Sequence, residues 1–320
     1  MRKLLILHNA AFYLNSARLM KLGDDYPDFT IDYHPSSNPP PEAMAEAEVI
    51  FGCPPADRLP EAGNLRWLHL HSAGAGGYCN PALYRRPDII VTKSSGAYGA
   101  PIAEHVLAMF FALSRRFGWY AAKQRGHEWA RNIDDSRELT GSTVLILGAG
   151  DIGTELARLL KPFGCTRIGY KRNVAIRPPH FDDIIDRRGL HDALARADYI
   201  AVCLPGTPGT AGLLGPDEFA VMKPGAILAN IGRGSVVDTA ALIEALRSGR
   251  LYGAGLDVTD PEPLPPDNPL WDMENVIITP HIAPATPSIN DRRMKVFTDL
   301  MDRYAAGKTM WNRVDFFNGY

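Results

Sequence analysis

The chain has 320 residues, 46% of them hydrophobic and 22% charged, enough for about two domains with sizeable cores. Its 34 Lys and Arg against 36 Asp and Glu leave a net charge of −2, which gives no field favouring nucleic acid or an anionic membrane as partner. Four cysteines, Cys53, Cys79, Cys165 and Cys203, share no Cys-x-x-Cys or Cys/His spacing, so free thiols in a reducing cytoplasm are expected, and no metal site.

From the N-terminus, Met1–Leu7 begins like a signal peptide, but the apolar run breaks at His8-Asn9 and fits the first strand of a sheet. Short apolar runs then alternate with mixed helical stretches: Lys3–Leu7, Thr30–Tyr33, Val49–Phe51, Leu65–Leu70 and Ile89–Thr92. Such alternation predicts βα units around a parallel sheet. The apolar helical segment Ile102–Leu113, interrupted by Glu104 and His105, is too short to span a membrane. It predicts a helix buried between domains or subunits.

The next run, Ser142–Leu147, enters Gly148-Ala149-Gly150-Asp151-Ile152-Gly153, and Ile152–Leu160 then has helical apolar spacing. The βα rhythm resumes with Arg167–Tyr170, Tyr199–Leu204, Ala226–Ile231, Gly253–Val258 and Val276–Thr279, which predicts a second doubly wound unit. A last helical stretch, Ser288 to Tyr304, carries Ile289, Arg293, Met294, Phe297, Leu300, Met301 and Tyr304 at near-helical spacing and is expected to cross back onto the first unit. Pro39-Pro40-Pro41 and Pro261–Pro266 predict loops or rigid connectors.

A glycine turn alone also joins strands to helices in proteins that bind nothing, but here it has the strand–turn–helix context of a dinucleotide site. Gly148 permits the tight turn, Gly150 the approach of a pyrophosphate, and Gly153 close packing of helix on strand, with the positive helix N-terminus aimed at the phosphates. Its mid-chain position implies that a compact unit precedes it. An NAD site has an acid about twenty positions on, at the end of the next strand. This chain has Gly169-Tyr170-Lys171-Arg172-Asn173 there. Charge-assisted hydrogen bonds to a 2′-phosphate are worth roughly 1.5–3 kcal/mol each, so NADP(H) is expected over NAD(H). The competing reading of Lys171 and Arg172 is a solvated surface pair.

Three later segments end predicted strands, where open α/β sheets bind ligands: Asn230–Ser235, Leu256–Pro263 and Ile278–Ala283. Arg233 stands between two glycines, which would let the backbone turn sharply and project a guanidinium toward a substrate carboxylate. His281 can give a proton to a carbonyl oxygen as hydride reaches its carbon, and Glu262 can hold the ring and favour its protonated form. Each alone fits a surface loop; their placement at successive strand ends favours a catalytic set.

Through Gly148–Gly153, Cys203–Thr210, Asn230–Val237, Gly255–Pro263 and Thr279–Ala283, the sequence resembles the D-isomer-specific 2-hydroxyacid dehydrogenase family. The resemblance implies an α/β fold of two Rossmann-like doubly wound domains, the coenzyme domain (99–286) inserted into a flavodoxin-like substrate domain (1–98 and 287–320), with the catalytic cleft between them. It makes Arg233 the substrate-orienting cation, Glu262 the partner of His281, and His281 the acid/base. It further implies coenzyme contacts from the glycine loop, Lys171, Arg172, Leu204, Pro205, Thr207, Pro208, Ile231, Gly232, Arg233 and His281, with Asp257 on the nicotinamide carboxamide. Ser72, Ala73 and Gly74 resemble the loop whose N–H groups bind the substrate carboxylate. The family's homodimers form through the segment matching Ala100 to Trp129, where Gln124 and Trp129 resemble the arm motif.

Two departures, Gly77 in place of an acid and Lys93 in place of the common Asn, bear on substrate identity and not on reaction class. The activity expected is NADPH-dependent reduction of a small 2-oxo acid, such as glyoxylate or hydroxypyruvate, to the D-hydroxy acid, with NAD possible as cofactor. The alternatives are a non-enzymatic dinucleotide sensor resembling the family's corepressors, disfavoured by the lack of long flanking tails, or a phosphite or formate dehydrogenase on the same fold. Glu262 argues against formate, whose dehydrogenases pair the histidine with Gln.

Overall fold

The structure is a computed structural model that describes residues 2–131 and 135–319. The chain divides into two compact units, Met1–Tyr98 with Ala285–Tyr320, and Gly99–Pro284.

In the first unit, β1 (Arg2–Leu7), β2 (Phe29–His34), β3 (Val49–Phe51), β4 (Trp67–Leu70) and β5 (Ile90–Lys93), with helices α1 (Ser16–Asp25) and α2 (Pro41–Glu46) joining the first three, form one parallel sheet in the order β2-β1-β3-β4-β5. That order is the flavodoxin-like one. The central strands read as nearly unbroken apolar runs because both faces are covered. One face packs into a core with Leu5, Leu7, Met44, Leu68, Leu70 and Val91. The final helix, Ile289–Ala305, covers the other, where Phe297 stacks on Phe51 at 4.1 Å and on Trp67 at 5.4 Å.

In the second unit, β6 (Thr143–Leu147), β7 (Thr166–Tyr170), β8 (Asp183–Ile185), β9 (Tyr199–Val202), β10 (Ala226–Asn230), β11 (Leu251–Leu256) and β12 (Val276–Ile278) are all parallel, in the order β12-β11-β10-β9-β6-β7-β8. Numbered within the unit this is the Rossmann order extended by one strand, and the sequence direction reverses between β6 and β9. Because every strand runs the same way, all their carboxyl ends share one edge. The short edge strand β8 is absent from the sequence reading; Asp183-Ile184-Ile185 is too brief to show a period. Several apolar runs outlast their strands, since Leu204, Ile231 and Val258 belong to the loops beyond the ladder.

The apolar helix expected between domains or subunits is α3 (Gly99–Ser114), and its buried face of Ile102, Ala103, Val106, Met109, Phe110 and Leu113 packs inside its own unit. A Cβ on Gly255 would meet Met109 Sδ at 2.7 Å and one on Gly253 would meet Leu113 Cδ2 at 3.1 Å, so these strand glycines let α3 lie close on β11. The next helix, α4 (Phe117–Arg125), follows at once. Among the described residues, no helix is long and apolar enough to cross a membrane.

Candidate active site

At the carboxyl end of β6 the chain turns at Gly148, φ +114°, and enters α5 (Asp151–Leu160). Any side chain at Gly148 would strain the backbone and meet Cys203 carbonyl atoms at 2.9 Å, and a Cβ on Gly153 would fall 2.0 Å from the Gly148 oxygen. Gly150 differs: it is exposed, and a Cβ there meets nothing within 4 Å. The loop thus leaves open space in front of the first turn of α5, whose N–H groups lack intrahelical partners. A dinucleotide pyrophosphate fits such a cradle. Ala149 is buried, Asp151 is exposed, and Ile152 is half-buried.

Lys171 and Arg172 follow β7 directly, beside this loop, because Gly148 N and Ala149 N both donate to the Tyr170 oxygen at 3.2 Å. After β9, Thr210 Oγ1 donates to the Pro205 oxygen at 2.6 Å and accepts from Thr207 N at 2.9 Å. These bonds close the loop of Leu204, Pro205, Thr207 and Pro208. A Cβ on Gly206 would meet Arg233 Cγ at 3.1 Å, which places that loop against the arginine.

After β10, Ile231 and Gly232 are buried while the Arg233 side chain is exposed. The flanking glycines serve a different purpose from the sharp turn expected of them, for neither has positive φ. A Cβ on Gly232 would meet the Leu204 oxygen at 2.5 Å, and one on Gly234 the Thr259 oxygen at 2.0 Å. Close backbone approach therefore excludes side chains there. Asn230, missed as a site residue, holds the turn: its Oδ1 accepts from Gly232 N and its Nδ2 donates to the Arg233 oxygen, both at 3.1 Å.

His281, after β12, has φ +53°, the left-handed region that few side chains adopt. Its Nδ1 lies 2.7 Å from Glu262 Oε1. A carboxylate only accepts, so this contact assigns the proton to Nδ1, and Nε2 has no protein partner among the described residues. The ring is 43% exposed.

Asp257 is 2% exposed and faces inward. Its Oδ1 accepts from Thr279 Oγ1 at 2.6 Å and Ile282 N at 2.9 Å, and its Oδ2 from Ala283 N at 3.0 Å. Its main-chain oxygen accepts from His281 N at 2.8 Å. Asp257 thus braces the loop that carries His281.

Ser72, Ala73 and Gly74 lie in the first unit, after β4, and are half-buried. Ser72 Oγ donates to the Gly74 oxygen at 2.7 Å, and the Ser72 oxygen accepts from Ser94 N at 3.0 Å. Lys93, one of the two departures, ends β5, and burial pushes its ammonium below its usual range. Within the second unit the fold brings the glycine loop, Lys171, Arg172, Leu204–Pro208, Arg233, Glu262 and His281 to one edge of one sheet.

Residues 107–283 match the family described as D-isomer specific 2-hydroxyacid dehydrogenase, NAD binding domain. The chain is 41% identical over 249 residues to D-3-phosphoglycerate dehydrogenase of Mycobacterium leprae, a match covering 77% of this chain but only 44% of that protein. It therefore spans under half the length of that relative. It is 35% identical over 268 residues to glyoxylate/hydroxypyruvate reductase B of Pectobacterium carotovorum, covering 80% of this chain and 81% of that one. The crystal structure of a D-isomer specific 2-hydroxyacid dehydrogenase from Xanthobacter autotrophicus, in complex with NADPH and MES, superposes with a TM-score of 0.85 at 29% identity over the whole of both chains. With the sheet order, the strand-end loops and a match across more than half its length all agreeing, the chain belongs to the D-isomer specific 2-hydroxyacid dehydrogenase family.

Proposed function

We propose that this protein reduces a small 2-oxo acid of the glyoxylate or hydroxypyruvate kind to the D-2-hydroxy acid, with NADPH preferred and NADH possible. The observation that carries the proposal is the 2.7 Å pair of His281 and Glu262 at the same sheet edge as Arg233 and the glycine cradle.

Arg233 pairs with the substrate carboxylate and orients its carbonyl. When bound, the reduced nicotinamide supplies the hydride. His281 gives the proton from Nε2 to the carbonyl oxygen, while Glu262 keeps Nδ1 protonated and the ring fixed. Asn230 and Asp257 hold the turns that carry Arg233 and His281. Leu204, Pro205, Thr207, Pro208, Ile231 and Gly232 wall the dinucleotide site. Lys171 and Arg172, standing where an acid would select NAD, favour the 2′-phosphate. NADPH bound in the Xanthobacter relative supports that preference.

A second copy of this chain is the proposed protein partner, through the segment from Ala100 to Trp129, which includes α4. Phe117 is 61% exposed there and Trp129 92%. Light scattering on the purified chain reads this directly.

Following nicotinamide absorbance with NADPH and NADH against a panel of 2-oxo acids tests the activity. Oxidation of NADPH by glyoxylate or hydroxypyruvate is expected. Absence of turnover with every acid overturns the enzyme in favour of a dinucleotide sensor.

A further inference from the structure

We propose that His105 is a positioning residue for His281, acting through Thr279 and Asp257. The proposal rests on the reading of His281 as the acid, and all four residues lie in the second unit.

His105 sits in α3, between the buried Ala103 and Val106. A polar ring in an apolar helix costs stability unless it finds a partner. Its hydrogen-bond partner is Thr279: His105 Nε2 lies 3.1 Å from Thr279 Oγ1, while Asp257 Oδ1 stands 3.9 Å from the same nitrogen, beyond hydrogen-bond reach. The Thr279 hydroxyl has one proton, and at 2.6 Å it is committed to Asp257 Oδ1, which as a carboxylate only accepts. Toward His105 the threonine oxygen can then only accept, which assigns a proton to Nε2. The chain of bonds has one direction, from His105 through Thr279 to Asp257.

Asp257 receives that chain on the oxygen that also accepts Ile282 N, while its other oxygen holds Ala283 N and its main-chain oxygen holds His281 N. These bonds keep the 279–283 segment in the conformation in which His281 has φ +53°. Without His105, the Thr279 hydroxyl is free to rotate away from Oδ1, and the segment loses the clamp that opposes relaxation of His281 out of the left-handed region. Dinucleotide binding to the glycine loop does not pass through this clamp.

Three variants separate positioning from bulk stability: His105→Leu, which removes the donor; His105→Gln, which keeps an N–H donor; and Thr279→Val, which removes the link. Hydrogen exchange of the peptide covering 279–283 is expected to quicken about tenfold in His105→Leu and Thr279→Val, the scale of one hydrogen bond, and to stay near wild type in His105→Gln. With a substrate that the wild type turns over, kcat should fall about tenfold in His105→Leu, recover in His105→Gln, and leave the dinucleotide KM within about twofold. His105→Leu added to Thr279→Val should cost nothing further, because both break one chain.

Unchanged exchange in His105→Leu, equal losses in the Leu and Gln variants, or losses that add in the double variant overturn the proposal. Exchange is read without any substrate. A wild type that reduces no 2-oxo acid therefore overturns the proposed activity, while the exchange result still decides the clamp.

Discussion

At the scale of single residues, exposed and buried polar groups divide cleanly. Arg233, Glu262 and His281 show their side chains to solvent, whereas Asn230 and Asp257 are buried and spend their hydrogen bonds on the turns beneath. Exposed charge is legible in a sequence because residue type alone names it. Support is not, since an Asn or Asp at a strand end looks the same whether it faces ligand or backbone. Arg172 is the residue with the sharpest solution signature. If it meets a 2′-phosphate, Arg172→Ala should raise the KM for NADPH roughly 10- to 100-fold, the worth of one charge-assisted hydrogen bond, and leave that for NADH unchanged. An unaltered ratio of the two constants would return the Lys171-Arg172 pair to the solvated surface.

At the scale of elements, the strand–glycine–helix unit of β6 and α5 depends on contacts of very different tolerance. A Cβ at position 153 would fall 2.0 Å from the Gly148 oxygen, while at 150 it would meet nothing within 4 Å. Gly153→Ala should therefore push α5 off the sheet, with loss of stability on the overpacking scale of about 1–3 kcal/mol, seen as a lower urea midpoint. Gly150→Ala should keep the wild-type midpoint and lose dinucleotide affinity, because its methyl fills the cradle. Equal dinucleotide binding by Gly150→Ala and wild type would remove the cradle from the site. The three glycines were legible as a pattern, and their roles at 148 and 153 follow from close approach. For Gly232 and Gly234 the sequence suggested a turn, and the reason is again close approach, to Leu204 and Thr259. Which segment passes behind a glycine cannot be read from its neighbours in the chain.

At the scale of the whole molecule, the two units place their ionisable groups differently. The second buries the carboxylates of Glu218 and Asp257, while the first buries the rings of His69 and His71. His69 bonds through Nδ1 to Thr92 Oγ1 at 2.8 Å and through Nε2 to Ser94 Oγ at 3.0 Å. Burial pushes it down to about 3, and burial with the nearby Arg293 guanidinium pushes His71 down to about 4, both from 6.5. The unfolded chain takes up protons near 6.5 that the folded unit refuses. Stability is fully present above 6.5 and falls as pH drops toward 4, by roughly 1.4 kcal/mol per pH unit for each ring. Urea midpoints measured at pH 7.5 and pH 5 should show the loss. Equal midpoints would mean that the two rings are not held neutral.

The sequence by itself determined most of the elements, their order along the chain and the candidate residues for the proposed chemistry. Those follow from local periodicity, from glycines that no other residue can replace, and from residue types at strand ends. The tertiary structure alone decided what lies behind them. Edge strand β8 needed its neighbour β7 to be defined, α3 found its place on β11 through Gly253 and Gly255, and His105 met Thr279 across 174 positions of chain. A period records which face of an element is apolar, but a hydrogen bond between distant residues exists only once the sheet has brought them within 3 Å or so of each other.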